Sequence, residues 1–180
     1  MYLRFMWVCI SRPLTNNQAN KKNQYQTNHF SATPISLFAI HVEDLNTQSV
    51  NVNLYGGDKV WVVIPMSKYE EVRSLLADKY SKLFDGCPEP TRSKIILITT
   101  ELFDQYHIPY TTIIQREGEM MFVHAMAYHM GFNADSNIAL AVNFCDDIQI
   151  KNINHGNIVW AKCVPNLRFV DSEHKYLVSS

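Results

Sequence analysis

The sequence predicts a mainly β fold: an antiparallel sandwich or double-sheet jelly roll with a few helices packed outside. Three observations carry that expectation. From Ser36 onward the chain runs in short stretches of Val, Ile, Leu, Phe and Tyr broken by Gly, Pro and Asn, the texture of many short strands. Two of those stretches alternate between apolar and polar residues or between faces. One segment alone has helical spacing over several turns. The 180 residues, 47% of them hydrophobic, suffice for one domain with a core. With 16 Lys+Arg against 17 Asp+Glu, the charge is too balanced for a polybasic nucleic-acid arm, and no apolar run approaches the roughly 18 residues of a membrane span.

Taken in order, the opening MYLRFMWVCI is apolar but interrupted by Arg4, and no small-residue cleavage site follows, so a signal peptide is not expected. Residues 16–28 form an Asn/Gln/Lys-rich tract too polar to offset the entropy of ordering it, which predicts a long mobile loop. Residues 1–35 are accordingly expected to hold a partial strand and a disordered polar loop. In Ser49–Tyr55, Val50, Val52 and Leu54 alternate with Ser49, Asn51 and Asn53. Gly56-Gly57-Asp58 offers a turn, and Lys59–Ile64 places Lys59, Trp61 and Val63 on one face, so the two runs read as a hairpin. Ser67 and Glu70 make a capping-box pair ahead of Val72, Leu75, Leu76 and Leu83, predicting a helix over 68–83. Beyond Gly86-Cys87-Pro88, strands are expected at 95–99, 111–115, 120–124 and 138–144, with a short helix near 101–106. The core is thus expected over 36–145, followed by a less patterned tail over 146–180.

Four dispersed cysteines, Cys9, Cys87, Cys145 and Cys163, form no CxxC, which points to a reducing compartment and free thiols. Chemistry is carried by His41-Val42-Glu43. Residues i and i+2 of a strand share a face, so an imidazole and a carboxylate would project side by side, half of the two-His, one-carboxylate arrangement of non-haem Fe(II) sites. His129, expected just past a strand and before a Gly-containing turn, is the candidate third ligand. On spacing alone, such a histidine is more often a structural residue than a ligand.

The run F-A-I-H-V-E-D-L-N-T-Q-S-V-N-V-N-L-Y-G-G-D-K-V-W-V-V-I-P from Phe38 to Pro65 resembles the JmjC (jumonji C) domain of histone lysine demethylases. So do I-P-Y-T-T-I-I-Q-R-E-G-E-M-M-F-V-H-A-M-A-Y-H-M-G-F-N and the later N-I-A-L-A-V-N-F, the similarity covering roughly residues 37–144. The resemblance implies a double-stranded β-helix, cupin-like, binding Fe(II) and 2-oxoglutarate. It implies His41, Glu43 and His129 as iron ligands and catalytic centre, and Lys59 as partner of the distal carboxylate of 2-oxoglutarate. Phe38, Asn51, Trp61 and Asn143 would line the cosubstrate or peptide site, with core packing as the alternative for these four.

The implied activity is oxidative demethylation of N-methyl-lysine through a hydroxymethyl group that collapses to formaldehyde. The implied partner is a methylated histone tail, expected to be H3, in chromatin and hence in the nucleus, with no sequence-specific DNA contact and no membrane. Two alternatives remain open: a protein hydroxylase using the same iron and cosubstrate, and an inactive or fragmentary binding module. The chain also departs from the family pattern. Tyr2-Leu3-Arg4-Phe5 is only faintly like the strand before the first ligand, His124-Ala125 stands where relatives usually have Phe-Pro, and Ala141 where some have Ser. Cys87 resembles a zinc-binding cysteine of one branch, but Ser93 stands where that branch has His, so a complete zinc site is not expected.

Overall fold

The computed structural model describes residues 26–84 and 87–144. Within them lie eight strands, β1 (Gln26–Ala32), β2 (Leu37–His41), β3 (Gln48–Gly56), β4 (Lys59–Val63), β5 (Thr111–Gln115), β6 (Met120–Val123), β7 (His129–Asn133) and β8 (Asn137–Phe144). Two helices, α1 (Tyr69–Lys79) and α2 (Thr100–Gln105), interrupt the series between β4 and β5. The strands form two four-stranded sheets, β1-β8-β3-β6 and β2-β7-β4-β5, with every pairing antiparallel. This is the expected jelly roll. None of the described helices is long and apolar enough to cross a membrane.

The chain crosses between sheets where a hairpin is expected. β3 pairs with β8 and β6, while β4 pairs with β5 and β7, so the Gly56-Gly57-Asp58 turn carries the chain from one sheet to the other. Gly56 sits at φ +100°, and a Cβ there would collide with the Ser136 carbonyl oxygen, so the turn is specific to glycine. In β3 the polar set is buried more completely than the apolar one, of which Val50 is buried and Val52 half-buried. Ser49, Asn51 and Asn53 are buried in the interior while Leu54 is exposed.

Four further expectations are corrected. Gln26–Asn28, at the end of the polar tract, belong to β1 rather than to a loop; among the described residues it pairs with β8 alone, held by backbone hydrogen bonds that need no apolar sequence. Residues 95–99 form no strand: one backbone bond, from the Ile40 N–H to the Ile96 carbonyl, docks the segment beside β2, and Ile96 is buried between the more exposed Ile95 and Leu97. The long helix stops at Lys79 and starts at Tyr69, with Ser67 in a preceding 3-10 turn and no side-chain cap, so the capping box does not form. Leu83 still packs on the core from the turns that follow α1. Finally, Cys87 is disulfide-bonded rather than a free thiol. The amino-terminal strand expected at 2–5, the tract from 16 to 25, Cys9, Cys145, Cys163 and the 146–180 tail lie outside the described residues.

Helix α1 shows its apolar stripe, Tyr69, Val72 and Leu76, at helical spacing to the outer face of the β2-β7-β4-β5 sheet. There it joins Ile40, Val42, Ile64, Tyr128 and Met130 with Phe103 of α2 in one buried cluster. The opposite face of that sheet looks into the sandwich, and it carries the site.

Candidate metal centre

Two strand ends bring the donors together. His41, at the end of β2, pairs directly with His129, the first residue of β7, and their ring centroids are 4.2 Å apart. His129 follows β6, as expected, but opens a strand of its own, so Gly131 is mid-strand rather than in a turn. Glu43 follows two residues after His41, beyond the end of β2, with Val42 turned to the apolar cluster behind. A register shift between Phe38 and His41 puts both on the inner face, opposite Gly131 and His129, although three positions separate them. Gly131 admits that packing: a Cβ would collide with the Val60 carbonyl oxygen and lie against the Phe38 ring.

His41, Glu43 and His129 each present a ligand atom within 4.8 Å of the others, a cluster that could hold a metal ion. The Glu43 Oε1 lies 3.6 Å from the His129 Nε2. Tautomers are set from behind. The His41 Nδ1 is 2.7 Å from the Ala39 carbonyl oxygen and the His129 Nδ1 is 3.1 Å from that of Ala127. A carbonyl only accepts, so each Nδ1 carries the proton and donates, leaving the Nε2 lone pairs for a cation. Burial, reinforced by His129, pushes the His41 pKa down to about 3, and burial also lowers that of His129. Burial alone would raise the Glu43 pKa, but the His129 and His41 imidazoles and hydrogen bonds from Ser49 and Asn143 outweigh it and hold the carboxyl below its ordinary range. Two neutral imidazoles and one carboxylate are the protonation states a divalent ion requires.

Around the cluster the other expected residues divide. Lys59, Trp61 and Phe38 converge: the Phe38 and Trp61 rings are 4.8 Å apart, and the Lys59 Nζ lies 5.4 Å and 5.8 Å from their centroids. Trp61 in turn lies 6.0 Å from the His129 ring. Asn143 is half-buried, and its Nδ2 donates to the Glu43 Oε2 at 2.9 Å and to the Thr47 hydroxyl at 3.2 Å, which orients the carboxylate. Asn51 lies on the inner face of β3 with its Oδ1 buried and unpartnered. Lys59 is only 6% exposed, and no carboxylate among the described residues pairs with it. Burial lowers its pKa to about 8. A buried cation without a counter-ion suits an anionic ligand.

Two residues were not singled out for a role in the sequence, though both stand in the Q-x-x-G-E and G-F-N motifs. Gln115 accepts from the Trp61 Nε1 at 2.9 Å and donates to the backbone oxygens of Asn51 at 3.0 Å and Glu119 at 2.9 Å, tying the two sheets together behind the indole. Asn133 accepts from the Lys59 Nζ at 2.5 Å. Their signal was register: both sit opposite Lys59, on β5 and β7, and side chains directly across a sheet meet.

Comparison with known proteins agrees with this layout. The family model described as "JmjC domain, hydroxylase" matches residues 29–144. Human probable lysine-specific demethylase 4F is 33% identical over 107 residues, 59% of this chain and 17% of that protein. Mouse lysine-specific demethylase 4B is 31% identical over 121 residues, 67% of this chain and 11% of its own length. Rat lysine-specific demethylase 4D is 33% identical over 107 residues, 59% of this chain and 21% of that relative. The matched region thus spans from 11% to 21% of the length of these relatives.

Proposed function

This chain belongs to the JmjC domain family, and on that premise we propose that it is an Fe(II)- and 2-oxoglutarate-dependent dioxygenase that demethylates N-methyl-lysine on histone tails in the nucleus. The observation that carries the reading is the convergence of His41, Glu43 and His129 within 4.8 Å, with both Nδ1 atoms engaged by backbone carbonyls. The names of the relatives, lysine-specific demethylases, supply the substrate class.

The donor set fits the group. His41 and His129 would bind iron through Nε2, and Glu43 through the oxygen not held by Asn143. When bound, iron and 2-oxoglutarate together supply O2-dependent oxidation of a C–H bond, coupled to loss of CO2 and formation of succinate. Lys59 would bind the distal carboxylate of the keto acid, its charge undiluted by any acid among the described residues. Phe38 and Trp61 exclude water from one side of the pocket, and Gln115 fixes the indole plane. Asn143 holds the Glu43 carboxylate in one orientation. The peptide's N-methyl group would thereby become an N-hydroxymethyl group, whose C–N bond would break to release formaldehyde and return the lysine amine.

The test is succinate and formaldehyde formation by the Fe(II)-loaded chain across a panel of methylated histone H3 peptides. Peptide-dependent release of both supports the reading; succinate formation without formaldehyde, and with a mass gain of one oxygen on the peptide, replaces it by a protein hydroxylase. That second reading is kept because the matching family is itself described as a hydroxylase.

A further inference from the structure

We propose that Asn133 is the positioning residue that presents the Lys59 ammonium, uncompensated by any acid among the described residues, to the distal carboxylate of the keto-acid cosubstrate. The inference rests on the reading of the site as a 2-oxoglutarate pocket and adds to it a residue that sets how the anion is received.

The two side chains are forced together by register. Lys59 of β4 and Asn133 of β7 are direct partners in the sheet, and both project inward. The Lys59 Nζ donates to the Asn133 Oδ1 at 2.5 Å, a buried contact. The orientation of that amide is dictated from its other end. The Asn133 Nδ2 donates to the Ser36 hydroxyl at 2.8 Å and to the Ser36 carbonyl at 3.2 Å, so only the oxygen can face the lysine. The Asn137 Nδ2 donates to the same Asn133 Oδ1 at 2.8 Å, which pins it from the first strand position of the opposite sheet. Backbone bonds from the Ile35 N–H to the Asn133 carbonyl and from the Asn133 N–H to the Ser36 carbonyl, at 2.8 Å and 2.9 Å, hold the residue itself.

The chemistry of position 133 then matters. An ammonium has three donors, and Asn133 takes one, leaving two for a ligand. Its amide oxygen directs the group without cancelling the charge. A carboxylate in the same place would be an internal counter-ion, and an incoming anion would have to compete with it in a dry site. The Phe38 and Trp61 rings, 5.4 Å and 5.8 Å from Nζ, restrict the remaining directions.

The test is calorimetric titration of 2-oxoglutarate, and separately of oxalate, into the Mn(II)-loaded full chain. Oxalate chelates a metal but has no distal carboxylate, so it does not reach Lys59. Loss of one charge-assisted hydrogen bond in Asn133→Ala should weaken 2-oxoglutarate binding about tenfold, and Asn133→Asp should weaken it by about a hundredfold or more. Oxalate and Mn(II) affinities should stay within about twofold in both, as they should in Lys59→Ala, where 2-oxoglutarate binding is also lost. Equal weakening of oxalate and 2-oxoglutarate would mark Asn133 as a merely structural residue and overturn the proposal. So would 2-oxoglutarate binding unchanged in the Asn133 variants while Lys59→Ala loses it; the cosubstrate reading would then survive alone. Wild-type protein that binds oxalate but not 2-oxoglutarate would sink the cosubstrate reading and this inference with it. If Asn133→Asp does not fold, Asn133→Ala carries the same comparison.

Discussion

The two faces of the β2-β7-β4-β5 sheet are built from the same strands to opposite ends. Its outer face sends Ile40, Val42, Ile64 and Met130 against α1 and α2 in a cluster closed to solvent. On the inner face, His41, Lys59, Trp61, His129 and Asn133 gather, with Glu43 beside them, polar groups satisfied by backbone carbonyls and amides rather than by packing. Neighbouring residues on β7 belong to different faces: Met130 packs in the core and His129 next to it presents a ligand nitrogen. The difference teaches that, in this sheet, the larger buried apolar cluster lies on the face turned away from the sandwich interior, while the inner face carries a smaller one, Trp61 with Met121, Val123 and Ala127, beside the polar site. Period-two alternation allows both within one strand.

The sharpest way to break that comparison is His129→Ala. Metal affinity should fall beyond measurement, while folding stability changes by no more than about 2 kcal/mol, because the inner face contributes little apolar packing at this position. Equilibrium Mn(II) binding and urea denaturation read the two quantities side by side, and a large loss of stability would show that the site also holds the fold. The converse is Phe103→Ala on the outer side. Phe103 is fully buried in α2, and its removal should cost about 3–5 kcal/mol. Where the variant is folded, its Mn(II) affinity should match wild type; a parallel loss would join the two faces into one unit.

The smallest effect concerns Lys59. Burial holds its pKa at about 8 in the folded chain, against roughly 10.4 when unfolded. Between those values the unfolded chain binds a proton that the folded chain has released, so stability should rise as pH increases from about 8 to 10. Lys59→Met should remove that slope. Affinity for a dicarboxylate should move the other way, falling as the amine loses its charge.

Much of this was legible beforehand. Alternation in β3 and β4 identified the strands, and the triad was visible in His41, Glu43 and His129 once the motif run was read as a whole. Alternation gives faces but not their address, so the Ser49, Asn51 and Asn53 face was marked as the inner one only through the role expected for Asn51 at the cosubstrate site. A pair of glycines also turns a hairpin and a crossover alike, so β3 and β4 were placed in one sheet. The bulge that lets Phe38 share a face with His41 has no marker in the sequence. Asn133 and Gln115 were hidden for a related reason: their roles come from lying opposite Lys59, and cross-strand register is a property of the folded sheet.

The central claim is that three side chains, two of them imidazoles bound through Nε2, close on one metal ion. Pulsed EPR of the chain titrated with Mn(II) tests it directly. One tightly bound ion per chain, with nitrogen modulation from two histidines that drops to one in His41→Ala, is the result expected. Mn(II) that remains free, or binds without nitrogen coupling, would contradict the account.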